Sequence, residues 1–286
     1  MTIKNPVEWT WAQLGHVAHA MGSAGRSLHH IQETIHSAPP AVRRIGLADV
    51  KDALKQGFDD FGAYRSDVIF LCVFYPLMGL ILARFAFGAD LLPFLFPLAS
   101  GFAIIGPFAA VGLYEMSRQR ELGRQVAWRT AFHVLDAPGA GAIAVLGLLL
   151  VTIFLLWLGA AWAIYQQTLG PAAPLSASAF IHDVFSTSAG HRMIVLGVGV
   201  GFLFALLAMS ISIVSFPLLL DRDAGLDTAI STSIRAVARN PIAMVAWGLI
   251  VASALVLGSI PFFIGLVVVM PVLGHATWHL YRKLVR

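Results

Sequence analysis

Residues 140–165 read AGAIAVLGLLLVTIFLLWLGAAWAIY, twenty-six consecutive positions from Ala140 to Tyr165 without one charged side chain. A helix of about 20 apolar residues crosses the hydrocarbon core of a bilayer, so this stretch is read as a transmembrane helix. It sets the class of the whole chain, and the composition agrees. Hydrophobic residues make up 58% of the 286 positions, charged residues 12%, and the mean hydropathy is +0.79. A soluble domain carries roughly 25% charged residues. Half that share cannot cover the surface of a water-soluble chain of this size, which excludes the soluble classes.

Working outward from residue 140, five further apolar runs have spanning length: Asp67–Phe87, Leu91–Tyr114, Met193–Leu218, Ile242–Ser259 and Pro261–Tyr281. The first pair is joined by Gly88-Ala89-Asp90 and the last by the break at Gly258-Ser259-Ile260-Pro261. These joints are too short for a domain and make helical hairpins. The expected fold is all-α, with six transmembrane helices arranged as three hairpins. An even number of spans puts both termini on one side. That side holds seventeen of the nineteen Lys and Arg residues, and only Arg84 and Arg192 fall opposite. Basic residues collect on the cytoplasmic side, so both termini are expected in the cytoplasm. No signal peptide is visible in residues 1–45, a polar arm that carries five of the ten histidines (His16, His19, His29, His30 and His36). The sequence pI near 9.5 follows from the same loop charges. No basic cluster has the interleaved aromatics of a nucleic-acid platform, and no nucleic-acid partner is expected. Cys72 is the single cysteine, so no intramolecular disulfide forms.

Three segments ahead of the hairpins share a pattern. They are Ala53-Leu54-x-x-Gly57-Phe58-x-x-Phe61, Ala127-Trp128-x-x-Ala131-Phe132-x-x-Leu135 and Ala229-Ile230-x-x-Ser233-Ile234-x-x-Val237. Apolar or small residues at helical steps, set among basic ones, describe an amphipathic helix at the cytoplasmic interface. The second helix of each hairpin then carries a proline, Pro107, Pro217 or Pro271, which removes a donor and kinks the helix. The expected organisation is a cytoplasmic arm over 1–45 and a six-span membrane domain over 46–286. Its pseudo-repeats cover 46–116, 121–221 and 225–286.

The sharpest local feature closes the last span, Gly274-His275-Ala276-Thr277-Trp278-His279-Leu280-Tyr281-Arg282. His275 and His279 are four apart and share a helix face, a spacing that suits two metal ligands. Glu115, Asp221 or Asp223 could supply a third. The plainer reading makes both histidines interfacial polar residues beside a Trp278–Tyr281 aromatic belt. Asp221 and Asp223 could likewise gate a cytoplasmic vestibule, or simply cap the next helix. Gly197 and Gly201 are suited to close helix packing. Ser210, Ser212 and Ser215 form a stripe that could line a path, although serines in membrane helices commonly bond their own backbone. In the loop 166–192, Phe180, Ile181, Val184 and Phe185 fit a short helix docked at the outer interface. No nucleophile elbow, phosphate-cradling glycine loop or paired intramembrane acids appear, so catalysis is not expected and no cofactor is called for.

The segment Gly106-Pro107…Gly112-Leu113-Tyr114-Glu115, the amphipathic lead-in and the Gly-His-Ala-Thr-Trp-His-Leu-Tyr-Arg ending resemble an uncharacterised family of bacterial integral membrane proteins, a domain of unknown function. The resemblance runs from about Ile45 onwards and implies a multi-span inner-membrane protein without assigned activity. More loosely, the triple hairpin is similar to membrane regions attached to some glycerophosphodiesterases, whose catalytic domain has no counterpart here. The leading expectation is a non-enzymatic membrane component that binds lipids, partner membrane proteins or itself. A carrier or channel for a small uncharged solute is one alternative, and a metal or haem protein using His275 and His279 is the other.

Overall fold

The computed structural model describes residues 40–72, 92–170, 176–261 and 263–286, with isolated positions at 77, 79–81, 84 and 174. The arm over 1–39, with its histidines, and most of the first expected span lie outside the described residues. Among those described, the regular secondary structure is all helical, apart from one isolated bridge between Val42 and Val285.

Helix α1 covers Leu47–Cys72. It opens where the Asp49 carboxylate accepts the Gly46 N–H at 2.9 Å, an acid satisfying a free donor at the positive end of a helix. A 3-10 turn at Leu92–Phe94 leads into α2, Leu95–Ala109, and α3 follows over Val111–Glu121. A second 3-10 segment covers Trp128–Asp136, and α4 runs Ala140–Thr168. The short helix expected within 166–192 is present as α5, Ala177–Ser186, capped by Ser176, whose hydroxyl accepts the Ala179 N–H. Then come α6 (Ser188–Ser212), α7 (Ser215–Asp221), α8 (Leu226–Arg239), α9 (Pro241–Ser259) and α10 (Leu266–Leu284). Pro241 stands in the first turn of α9, where its missing donor costs nothing.

Four of these stretches are long and apolar enough to cross a membrane: Leu92–Ala109, Ala140–Thr168, Ser188–Asp221 and Pro241–Ser259. α4 is the central one. Of its most apolar window 44% is buried, against 11% for Ser188–Asp221, which lies at the periphery with Val195, Phe202 and Leu203 turned outward. α10 is not among the four. Its second half carries His275, His279, Arg282 and Lys283, and twelve of its residues are buried inside the protein.

Several expectations are corrected in detail. The run Leu91–Tyr114 is not one helix, because the backbone turns at Ala110 and α3 starts afresh. Met193–Leu218 breaks at Ile213–Val214, four and three residues before Pro217, whose ring conflicts with the carbonyl four residues back. Pro217 therefore sits in the first turn of α7, and the kink expected of it falls at Ile213–Val214 within the stretch Ser188–Asp221. Pro107 and Pro271 remain inside α2 and α10. The lead-in over 127–135 is a 3-10 segment and not an α-helix. It is confined between Gly123, at φ +70°, and the Pro138-Gly139 pair, and Thr130 Oγ1 accepts the Ala127 N–H at 3.1 Å. Gly201 packs as expected, with the Trp157 ring 3.1 Å from where a Cβ would stand, but Gly197 meets nothing within 4 Å.

The lead-in segments pack in a consistent way. Each lies on the helix that precedes it, and the first lies on the last: the 3-10 segment on α3, α8 on α6 and α7, and α1 on α10. The touching positions are those aligned in the sequence pattern. A Cβ on Gly57 would stand 2.7 Å from the Ala276 Cβ and backbone nitrogen, Ala131 lies against Gly112, and Ser233 Oγ accepts the Val214 N–H at 3.2 Å. Only a glycine at position 57 lets α1 and α10 approach backbone to backbone.

Candidate functional site

The buried stripe of α1 is Val50, Ala53, Gly57 and Asp60, at helical steps of three and four. Three small or apolar residues followed by an acid put the Asp60 carboxylate, 4% exposed, into the seam with α10 and α3. Burying a lone carboxylate is costly unless it is paired and fully hydrogen-bonded. Asp60 meets that condition. Its Oδ2 accepts the Ser117 hydroxyl and, at 2.9 Å, His279 Nε2; its Oδ1 accepts Arg120. Arg120 also lies over the Tyr64 ring, 5.7 Å from its centre. Burial alone would push the Asp60 carboxyl upward. The hydrogen bonds from His279 and Ser117, with the charges of His279 and His275, outweigh it and hold the group below the ordinary carboxylate value of 3.8.

His275 completes the cluster. It is wholly buried, and its Nδ1 lies 2.7 Å from Ser117 Oγ and 3.9 Å from Asp60 Oδ2. Ser117 has one proton. With that proton on Asp60, the serine oxygen receives the Nδ1 hydrogen of His275, and Nε2 becomes the bare acceptor of the ring. Nε2 has no well-formed hydrogen bond. The cluster thus joins α1, α3 and α10 through one carboxylate. Beside it opens a polar pocket of about 530 Å³, bordered by Asp60, Arg120, Glu121, His279, Arg282 and Lys283. Its cations are answered in place: Arg282 by Glu121 at 2.9 Å and Lys283 by Asp52 at 2.6 Å.

The structure brings His275 and His279 together as the spacing predicts, but not with the acids nominated for them. Glu115 is buried and held by Gln119 and by Arg118 at 3.3 Å. Asp221 accepts the Tyr281 hydroxyl at 2.7 Å and lies 3.5 Å from Arg282 and 3.7 Å from Arg118, which ties α7 to α10 and α3. Asp223 is exposed. The Trp278 indole donates to Glu121 at 3.1 Å, and Trp278 and Tyr281 are 1% exposed, so they pack inside and form no interfacial belt. No group of three or more His, Cys, Asp or Glu side chains among the described residues is disposed to hold a metal ion. Of the serine stripe, Ser212 and Ser215 are buried against protein, and Ser215 bonds its own backbone at Ile211 at 2.6 Å. Asp60, Ser117 and Arg120 are the site residues that sequence reasoning missed. The available signal was an acid in register with Val50, Ala53 and Gly57 on the small-residue face of α1.

Residues 95–221, a little under half of the chain, match the model of a family described as "Predicted integral membrane protein (DUF2189)", an uncharacterised domain. The match covers α2 to α7. No match was found among curated proteins or among solved structures.

Proposed function

With an integral membrane domain of unknown function as the premise, we propose that the protein is a non-enzymatic component of a bacterial inner membrane that binds lipids or partner membrane proteins. In this reading it has six spans, the first and the last formed by 67–87 and 261–281, and both termini are cytoplasmic. The carrying observation is the state of its most reactive-looking groups. Asp60, Ser117 and His275 are each at most 4% exposed and spend their hydrogen bonds on one another. A serine, histidine and acid so enclosed tie helices together, and only the edges of Asp60 and Ser117 border the polar pocket. The apolar surface of α6 and α9, with Val195, Phe202, Ile242 and Leu249 all more than half exposed, supports the lipid-facing part of the reading. The carrier alternative draws less support, since of Ser210, Ser212 and Ser215 the last two are buried against protein.

The test is purification from native membranes in a gentle detergent, with quantitative comparison of membrane proteomes with and without the gene. Reproducible co-purification of lipid or of a specific membrane protein is the expected result. A lipid-free monomer whose deletion changes no other protein's abundance contradicts it. An optical spectrum and metal analysis of the same sample address the metal alternative directly.

A further inference from the structure

At the end of the bundle that carries α5, a second cavity of about 490 Å³ opens between α2, α4, α5 and α6. Its character is opposite to that of the Asp60 pocket. Among the described residues no charged side chain lines it. Its floor is Trp157, 1% exposed and fixed by a 2.8 Å hydrogen bond from its indole N–H to Ser100 Oγ. Its mouth is bordered by Phe96 and Val198, 57% and 55% exposed, and Val198 continues into the outward apolar face of α6 at Val195 and Phe202. Gly197 leaves the wall open, because no atom lies within 4 Å of where its Cβ would be. Tyr165 lines the cavity, and Trp162, adjacent in sequence to the lining residue Ala161, meets Tyr165 at 6.1 Å and stacks on Phe94 at 5.6 Å.

We propose that this cavity is a binding site for one acyl chain of a bilayer phospholipid, inserted sideways between α2 and α6. An apolar void of this size, within the range of about 300–1,000 Å³ typical of ligand sites, does not hold water stably. Three of the four enclosing helices belong to membrane-crossing stretches, so the medium at its mouth is lipid hydrocarbon. The aromatic rim marks the headgroup level, where amphipathic rings sit. A chain entering past Phe96 and Val198 therefore reaches Trp157 while its headgroup stays beside Trp162 and Tyr165. The inference rests on the membrane reading and on no partner protein.

The experiment reconstitutes the full chain in vesicles containing phosphatidylcholine with a photoactivatable diazirine near the end of one acyl chain. Labelled residues are mapped by mass spectrometry. Labelling of Trp157, Ala161 or Ile194 is expected beside that of the open faces at Leu155 and Phe202. In Gly197→Phe, and independently in Ile194→Trp, cavity labelling falls to background while labelling of Leu155 and Phe202 persists. Labelling of the open faces alone in the wild type overturns the cavity proposal and leaves the membrane reading intact. Undiminished cavity labelling in both filled variants also overturns it. Labelling at neither place overturns the membrane reading with it.

Discussion

Asp60 is the residue on which three helices converge, and its replacement separates the roles in the cluster. Asp60→Asn keeps the shape but removes the charge that answers Arg120 and accepts from His279 and Ser117. Removing one member of a buried pair leaves the others unsatisfied, and a loss of about 2–3 kcal/mol is expected, discounted because Arg120 is over a third exposed. Unfolding in mixed detergent micelles checks it. The pH dependence has a definite sign. The folded-state carboxyl lies below its ordinary value, so its contribution is complete above about pH 4 and is lost as pH falls through the depressed folded value. Wild type is therefore expected to lose more stability on acidification than Asp60→Asn, and parallel curves for the two would refute the assignment. Little of this was legible beforehand. The spacing of His275 and His279 announced one shared face, but their carboxylate partner is 215 and 219 positions away in sequence (275 − 60 and 279 − 60), and no local pattern reports such a pairing.

At the level of elements, the contact between α1 and α10 depends on Gly57. Gly57→Ala would drive a methyl to within 2.8 Å of the Val272 carbonyl and 2.7 Å of the Ala276 nitrogen, atoms of backbone that cannot rotate away. Overpacking of this kind costs about 1–3 kcal/mol. Gly62 lies in the same helix, is exposed and has nothing within 4 Å, so Gly62→Ala is expected to raise stability by up to about 1 kcal/mol. Opposite signs for the two changes, read as shifts in the thermal midpoint, distinguish a packing contact from a general preference for glycine in α1. The long membrane helices were legible because α4, α9 and α6 from Met193 onward are apolar runs without a charged residue. The break at Ala110 and the 3-10 form of 128–136 were not, since the residues there suit an α-helix and the packing of Gly112 on Ala131 intervenes. Gly197 and Gly201 are alike in sequence, yet only the second faces a neighbouring helix.

Across the whole molecule, the polar contacts gather at one end of the bundle, where α1, α3, α7 and α10 meet, and the apolar cavity with its aromatic rim lies at the end carrying α5. The first described helix lies on the last, and the pairing continues along the backbone: the Arg43 N–H reaches the Leu284 carbonyl at 2.8 Å, and Asn240 binds both the Ile45 N–H and the Arg43 carbonyl. The central claim is that α1 clasps α10 and closes the ring of lead-in segments, on the cytoplasmic face in the orientation proposed above. Lys283 and Asp52, 2.6 Å apart and both reachable by solvent, report on it. The decisive measurement replaces them by cysteines in a Cys72→Ser background and applies a short, membrane-impermeant bis-maleimide to inverted vesicles and to intact spheroplasts. The account predicts an intramolecular cross-link in inverted vesicles alone, abolished by Gly57→Leu. Absence of a cross-link from either side would contradict the α1–α10 clasp, and a cross-link formed only in spheroplasts would contradict its orientation.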